Sequence, residues 1–165
     1  MLSKIQKCLE EGEKRGERHK GLRRIHVKQE VVYNHLRKAA HNLSAMVDFK
    51  NMGYSDWSAS AAFYALYHCL LALLLKQGYE SRNQSCTFAF VEELIKTKKI
   101  TLQLEDVNAI FDKDITEDLA HSEKILDIRE TMQYSWQTSL NEQEFATLFE
   151  KTKSLFDKIR VEIEK

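Results

Sequence analysis

The sequence predicts an all-α protein with a single domain, built as a helical bundle. It contains no proline and only five glycines in 165 residues, a composition typical of long helices joined by short loops. Its apolar side chains recur at intervals of three and four, the period of an amphipathic helix. Short loops make neighbouring helices antiparallel, so we expect an up-and-down four-helix core with an extra N-terminal helix and a short accessory helix.

The first segment, residues 2–14, is a polar amphipathic helix with Ile5 and Leu9 on one side. We expect it to lie at the periphery of the bundle. We therefore assign residues 1–20 to an N-terminal helical extension and residues 21–165 to the bundle.

The second helix is predicted from Leu22 to about Lys50. Its apolar positions alternate steps of four and three, and a stretch ending in Gly53 closes it. The positions that form this apolar stripe are Val32, Leu36, Ala39, Leu43 and Met46.

The third helix, within Tyr54–Gly78, is apolar on every side and is the central helix of the bundle. Ser55 or Asp56 is expected to provide its N-cap oxygen, and Gly78 ends it. Its apolar run falls short of the roughly 20 residues that a membrane span needs and contains polar side chains, so we expect no membrane association.

Four later segments complete the bundle. A shorter helix is predicted around residues 86–95, after a polar loop, and residues 102–111 form either a short helix or an extended connector. Another bundle helix is predicted from Thr116 to about Tyr134. The closing helix spans Glu142–Glu164.

The charges exclude a strongly basic nucleic-acid-binding protein, because 25 Lys and Arg residues balance 25 Asp and Glu residues. The only basic region, residues 14–28, holds nine Lys, Arg and His side chains against one glutamate. Such a segment is typical of a solvated helix face or a mobile arm. Cys8, Cys69 and Cys86 show no paired spacing, so we expect reduced thiols and a cytoplasmic protein.

The sequence lacks the motifs of several common classes of phosphate-binding, metal-binding and hydrolytic site. The chain has no Gly-rich phosphate loop, no His-Glu-x-x-His pair, no cysteine pair spaced for zinc and no Gly-x-Ser-x-Gly turn. We expect neither a metal site nor a cofactor.

Two groups of polar side chains remain as candidates. Tyr64 and His68 lie one helical turn apart and either converge on a common pocket or satisfy hydrogen bonds inside the bundle. Arg129 offers a planar fork suited to phosphate, beside Tyr134, which can stack on a base. Five positions splay two side chains by about 140° on an unbroken helix, so these two share a site only if the helix ends between them. Otherwise Arg129 pairs with a neighbour such as Gln133 or an acid.

These residues resemble the HEPN domain family (higher eukaryote and prokaryote nucleotide-binding), in particular its small stand-alone prokaryotic members. Four pieces agree in order from about Lys28 onward. They are Ala39-x-x-Asn42-Leu43, the tract Asp56-Trp57-Ser58-x-Ser60-x-x-Phe63-Tyr64-Ala65-x-Tyr67-His68, the run Ala72-Leu73-Leu74 to Gly78 with Ser81-Arg82-Asn83, and Arg129 with Tyr134.

The resemblance implies an up-and-down bundle, usually a homodimer, often encoded beside a minimal nucleotidyltransferase as a toxin–antitoxin pair. Active members are metal-independent ribonucleases that use an arginine and a histidine four to six residues downstream. The resemblance assigns Arg129, Glu130 and Tyr134 to the catalytic positions, with Tyr134 where the histidine is expected. A phenol with a pKa of about 10 is a poor base at neutral pH.

A second departure is Gln84, where many relatives have histidine after the residue corresponding to Asn83. His68 and His121 are the alternative proton-transfer groups, and with Tyr64 and Asn83 they are the candidates for contact with RNA or nucleotide. The sequence therefore supports two functions: a toxin-like ribonuclease, or a non-catalytic nucleotide- or partner-binding module working with a nucleotidyltransferase. A purely structural dimeric bundle is a third reading.

Overall fold

The computed structural model describes residues 1–110 and 125–165, which form a helical bundle with one two-stranded ribbon. The all-α prediction is confirmed. In chain order the described elements are α1 (Lys4–Glu13), a 3₁₀ turn (Gly16–Arg18), β1 (Leu22–Arg24), α2 (Gln29–Asn51), α3 (Ser55–Lys76), β2 (Tyr79–Ser81), α4 (Gln84–Lys96), α5 (Leu104–Ile110), α6 (Ile125–Tyr134) and α7 (Glu142–Glu164). The first part of the helix predicted from Thr116 lies outside the described residues.

α2 and α3 form an antiparallel pair along their whole length. The Ser58 hydroxyl donates to the carbonyl oxygen of Met46 at 2.7 Å, and nearer the other end His68 meets His35. Residue numbers therefore fall along α2 as they rise along α3, as the short loop between the two helices requires.

α6 and α7 complete the core around α3. Arg129 of α6 contacts Tyr64, while the end of α6 borders a cavity lined by Trp57, so α6 runs antiparallel to α3. α7 runs parallel to α3, because its start lies beside Ser55 and Lys76 bonds near its end. The order α2, α3, α6, α7 thus alternates in direction, which is the up-and-down arrangement that the sequence predicts.

α3 is the central helix, and fourteen of its 22 residues are buried. It is long and apolar enough to cross a membrane, but 78% of its apolar stretch is buried inside the protein, as in a core helix. Gly78 ends it with a φ of +84°, as predicted. The predicted N-cap is wrong: Tyr54 occupies that position without a side-chain cap, and the Ser55 hydroxyl instead accepts the backbone N–H of Leu140 at 2.8 Å.

The helix predicted from Leu22 begins only at Gln29, because the residues before it form a β-strand. β1 pairs antiparallel with β2, with Leu22 opposite Ser81. A strand whose partner lies almost 60 residues away leaves no local periodic signal. α1 packs directly on this strand: a Cβ on Gly12 would lie 1.7 Å from the carbonyl oxygen of Leu22, so only glycine fits.

Cys8 and Cys86 form a disulfide that joins α1 to α4. The expectation that all three thiols are reduced is therefore wrong for this pair, and only Cys69, which is buried, is free. The two cysteines are 78 residues apart, so only the docking of α1 brings them together. The cytoplasmic location stays a prediction.

Candidate functional site

Arg129 projects from α6 onto two aromatic rings of α3. Its guanidinium carbon lies 4.6 Å from the ring centre of Phe63 and 5.8 Å from that of Tyr64. Nη1 donates to the Tyr64 hydroxyl at 3.4 Å, and Nη2 lies 3.9 Å from a carboxylate oxygen of Glu130.

These polar contacts leave much of the guanidinium uncommitted. Both distances are long for strong hydrogen bonds, and the buried Nε atom of Arg129 has no partner among the described residues. The side chain is only 14% exposed. A guanidinium held against aromatic rings with donors to spare is suited to bind an anion such as phosphate.

A histidine pair lies on the same side of α3. Nδ1 of His35 and Nδ1 of His68 are 2.9 Å apart, and the two rings stack with their centres 5.2 Å apart. In such a hydrogen bond one ring donates and the other accepts, so the two imidazoles are not both protonated. His68 lies one turn from Tyr64, which places Arg129, Tyr64, His68 and His35 in a row across the α2–α3–α6 surface.

Both histidines are held in the neutral form. Burial, together with smaller contributions from His35 and from the positive charge of Lys38, lowers the pKa of His68 to about 4. Burial also lowers the pKa of His35, although Glu80 acts in the opposite direction. At neutral pH the pair therefore presents uncharged nitrogens, one of which is free to accept a proton.

We expect the fold to lose stability as the pH falls from 6.5 to about 4. In this range the unfolded chain protonates His68 at its ordinary pKa while the folded protein does not, so protons favour unfolding. Urea unfolding of wild type and His68→Gln at a series of pH values measures the effect. The variant should lose less stability between pH 6.5 and 5, above the range in which carboxylates titrate.

His41→Gln is the matched control for this measurement, because His41 is an exposed histidine of the same helix as His35. It should follow the wild-type pH dependence. An unchanged dependence in His68→Gln would contradict the assignment of a lowered pKa to His68.

The structure distributes the other predicted site residues differently. Glu130 stays beside Arg129. α6 continues through Tyr134, whose side chain is 83% exposed, so the helix does not end between Arg129 and Tyr134 and the condition for a shared site is not met. The Asn83 side chain caps α4 by accepting the backbone N–H of Cys86 at 3.0 Å. His121 lies outside the described residues.

Two residues of the site escape prediction from sequence. Phe63, which lies under the guanidinium, has the pattern of any core residue of α3. His35 falls on α2 and meets His68 only through helix packing. Within residues 1–110 and 125–165, no cluster of three or more His, Cys, Asp or Glu side chains could hold a metal ion.

Comparisons with known proteins identify a family and a relative. The family model described as "HEPN domain" matches residues 32–162, most of the chain. One similar curated protein is "Putative toxin MJ0142" of Methanocaldococcus jannaschii, 28% identical over 85 residues. That match covers 50% of this chain and 58% of the relative's length, so the chain spans less than two thirds of the relative.

Proposed function

This chain belongs to the HEPN domain family, and from that premise we propose that it is a toxin-like protein that cleaves RNA without a metal ion. The observation that carries the proposal is the Arg129 guanidinium, fixed on two aromatic rings with donors uncommitted. The similarity to a protein named as a toxin supports the toxin-like part of the proposal.

In the proposed reaction the 2′-hydroxyl of a nucleotide attacks the adjacent phosphorus and the 5′-oxygen of the next nucleotide leaves. Arg129 donates hydrogen bonds to the phosphate oxygens as negative charge builds up on them. The Tyr64 oxygen accepts a hydrogen bond from Arg129, so its own proton remains available. In the proposed reaction that proton passes to the 5′-oxygen, which leaves as a free hydroxyl, while the attacked phosphorus becomes a 2′,3′-cyclic phosphate.

His68 takes the proton of the attacking hydroxyl. This role requires that Nδ1 of His68 carries a proton and donates it to His35, which leaves Nε2 as the base. His35 is then a positioning residue that orients the imidazole of His68. Tyr134 is not needed for this step.

The test is cleavage of end-labelled RNA in the presence of a metal chelator. We expect chelator-resistant cleavage by the wild type and about a 10²-fold slower reaction in His68→Asn. This is the lower end of the range for a general base, because the lowered pKa of His68 makes it a weak base at neutral pH. His41→Asn should cleave at the wild-type rate. Equal rates in wild type and His68→Asn would remove His68 from the mechanism.

A second candidate function is supported by position 134. A phenol is a poor substitute for the histidine of active relatives, and Tyr134 is exposed. This favours a non-catalytic module that binds nucleotide or a minimal nucleotidyltransferase partner. Calorimetric titration with nucleoside triphosphates and with such a partner distinguishes the two: binding without RNA cleavage supports the second function.

A homodimer also belongs to the proposal. Trp57, Tyr134 and Trp136 are 54%, 83% and 95% exposed, and Trp57 and Trp136 line one cavity between α3 and the end of α6. Large exposed rings at one place are typical of a protein interface. A second copy on this face would bring two Arg129 side chains near one another.

A further inference from the structure

One segment before the residues matched by the family model has a large excess of positive charge. Residues 14–28 carry seven Lys and Arg side chains against one glutamate. Because the whole chain has no net charge, the remainder carries an excess of six acidic side chains. The family match begins at residue 32, so the segment precedes the matched residues.

The segment is fixed to the body of the protein, contrary to the expectation of a mobile arm. Within it, β1 pairs with β2. The helix before it is fastened by the Cys8–Cys86 disulfide, and a Cβ on Gly21 would lie 2.2 Å from the carbonyl oxygen of Cys8. The cations are therefore held on a rigid support, which lowers the entropy cost of binding a ligand.

The acid at the centre of the ribbon is neutralised by its neighbours. Glu80 of β2 accepts hydrogen bonds from Arg23 at 3.1 Å and Arg82 at 3.3 Å, and lies 3.1 Å from Nε2 of the buried His19. Burial alone would raise the pKa of Glu80, but these contacts lower it, so Glu80 stays charged and paired. Because two guanidinium groups pair with one carboxylate, this group of side chains keeps a net positive charge.

The outer cations of the segment have no such partners. They are exposed, and none forms an ion pair with any residue that the structure describes. These side chains are Arg15, Arg18, Lys20, Arg24 and Lys28.

The β1–β2 ribbon borders a cavity that extends to His35 of the candidate site. His35 and Arg82 line one cavity of about 270 Å³ that reaches Leu75 near the end of α3. From Leu75 to Tyr64 is eleven residues of helix, or about 16 Å. An RNA strand several nucleotides long could thus lie on the ribbon while one phosphate reaches Arg129.

We propose that residues 14–28, with Arg82, form a binding surface for the phosphate backbone of single-stranded RNA next to the candidate site. This inference rests on the proposed function, because the occupant is the RNA that the site would cleave. Phosphates complement a fixed cluster of unpaired cations in an otherwise acidic protein. An acidic protein partner is the rival occupant.

The test compares the triple variant Lys20→Gln, Arg24→Gln, Lys28→Gln with a control that loses the same charge. The control is the triple variant Lys96→Gln, Lys98→Gln, Lys99→Gln, whose exposed positions lie at and just beyond the end of α4. Lys96 lies about 15 Å along α4 from Cys86, where the disulfide joins this helix to α1. Binding of a fluorescent single-stranded RNA is measured by anisotropy across salt concentrations, and cleavage is measured at saturating RNA.

We expect the ribbon variant to bind RNA at least about tenfold more weakly at 0.1 M salt. The slope of log affinity against log salt should fall in magnitude by about 2, at roughly 0.7 for each lost phosphate contact, while the control keeps the wild-type slope. The control should also cleave at the wild-type rate at saturating RNA.

Equal slopes in the two variants would overturn the RNA surface even if the wild type cleaves RNA. If the slope of log affinity against log salt fell only in the ribbon variant and no protein cleaved RNA, the RNA surface would be supported and the ribonuclease proposal contradicted. Polyglutamate, titrated in parallel, tests the rival occupant, an acidic protein partner. The choice of RNA would be overturned if the wild type bound polyglutamate as tightly as RNA and the ribbon variant lost both affinities equally.

Discussion

Arg129→Ala is expected to lower the rate constant of RNA cleavage by about 10³-fold, or about 4 kcal/mol of transition-state stabilisation. The guanidinium is the only cation placed on the Phe63 and Tyr64 rings among the described residues, and its donors are held in place while making only long contacts to protein groups. Alanine removes those donors just where charge builds up. Single-turnover cleavage of labelled RNA measures the loss.

Three variants separate catalysis from folding in this experiment. Arg129→Lys keeps the charge but loses the planar fork, so its rate should fall between wild type and alanine. Arg160→Ala removes an exposed arginine of α7 that pairs with Glu164, and should leave the rate unchanged. Tyr134→Phe should also cleave at the wild-type rate, because this side chain is exposed.

The decisive comparison is between Arg129 and Tyr134. If Tyr134→Phe were as slow as Arg129→Ala, the catalytic pair inferred from sequence would be correct and the Tyr64–His68 arrangement would be irrelevant to the chemistry. If both variants cleaved at the wild-type rate, Arg129 would have no part in cleavage.

Reduction of the Cys8–Cys86 disulfide is expected to lower the free energy of unfolding by about 4 kcal/mol. The bond closes a loop of 78 residues, and a crosslink of this length removes much conformational entropy from the unfolded chain. Urea unfolding with and without a thiol reductant measures the difference. Cys8→Ala should match the reduced wild type and show no further response to reductant.

Cys69→Ala is the control for the reductant. Burial raises the pKa of the Cys69 thiol to about 12, so this group is unreactive and does not compete for disulfide formation. The variant should keep the full stability difference between oxidised and reduced protein. An unfolding midpoint that reductant leaves unchanged in the wild type would contradict a stabilising crosslink.

Much of the fold is predictable because helices carry local signals. The closing helix is confirmed at Glu142–Glu164, and Gly78 ends α3 as its position indicates. The β1–β2 ribbon and the Cys8–Cys86 pair are missed, since both join residues far apart in sequence. The apolar period that reveals a helix has no counterpart for such pairs.

The candidate site divides in the same way. Residue chemistry and spacing selected Arg129, Tyr64, His68 and Tyr134 as candidates. The resemblance then assigned Tyr134 to the position where a histidine is expected. The structure joins the first three with His35 and leaves Tyr134 exposed on the continuing helix.

The sequence by itself determined the helical class, the end of α3, the boundaries of α7, the family resemblance and the charge of residues 14–28. Each of these depends on residues near one another in the chain or on residue identity alone. Only the tertiary structure decided that Arg129 lies on Phe63, that His68 bonds to His35 and that the basic segment is fastened to the body of the protein. Such contacts are set by how whole helices pack, because packing places side chains from distant segments within bonding distance.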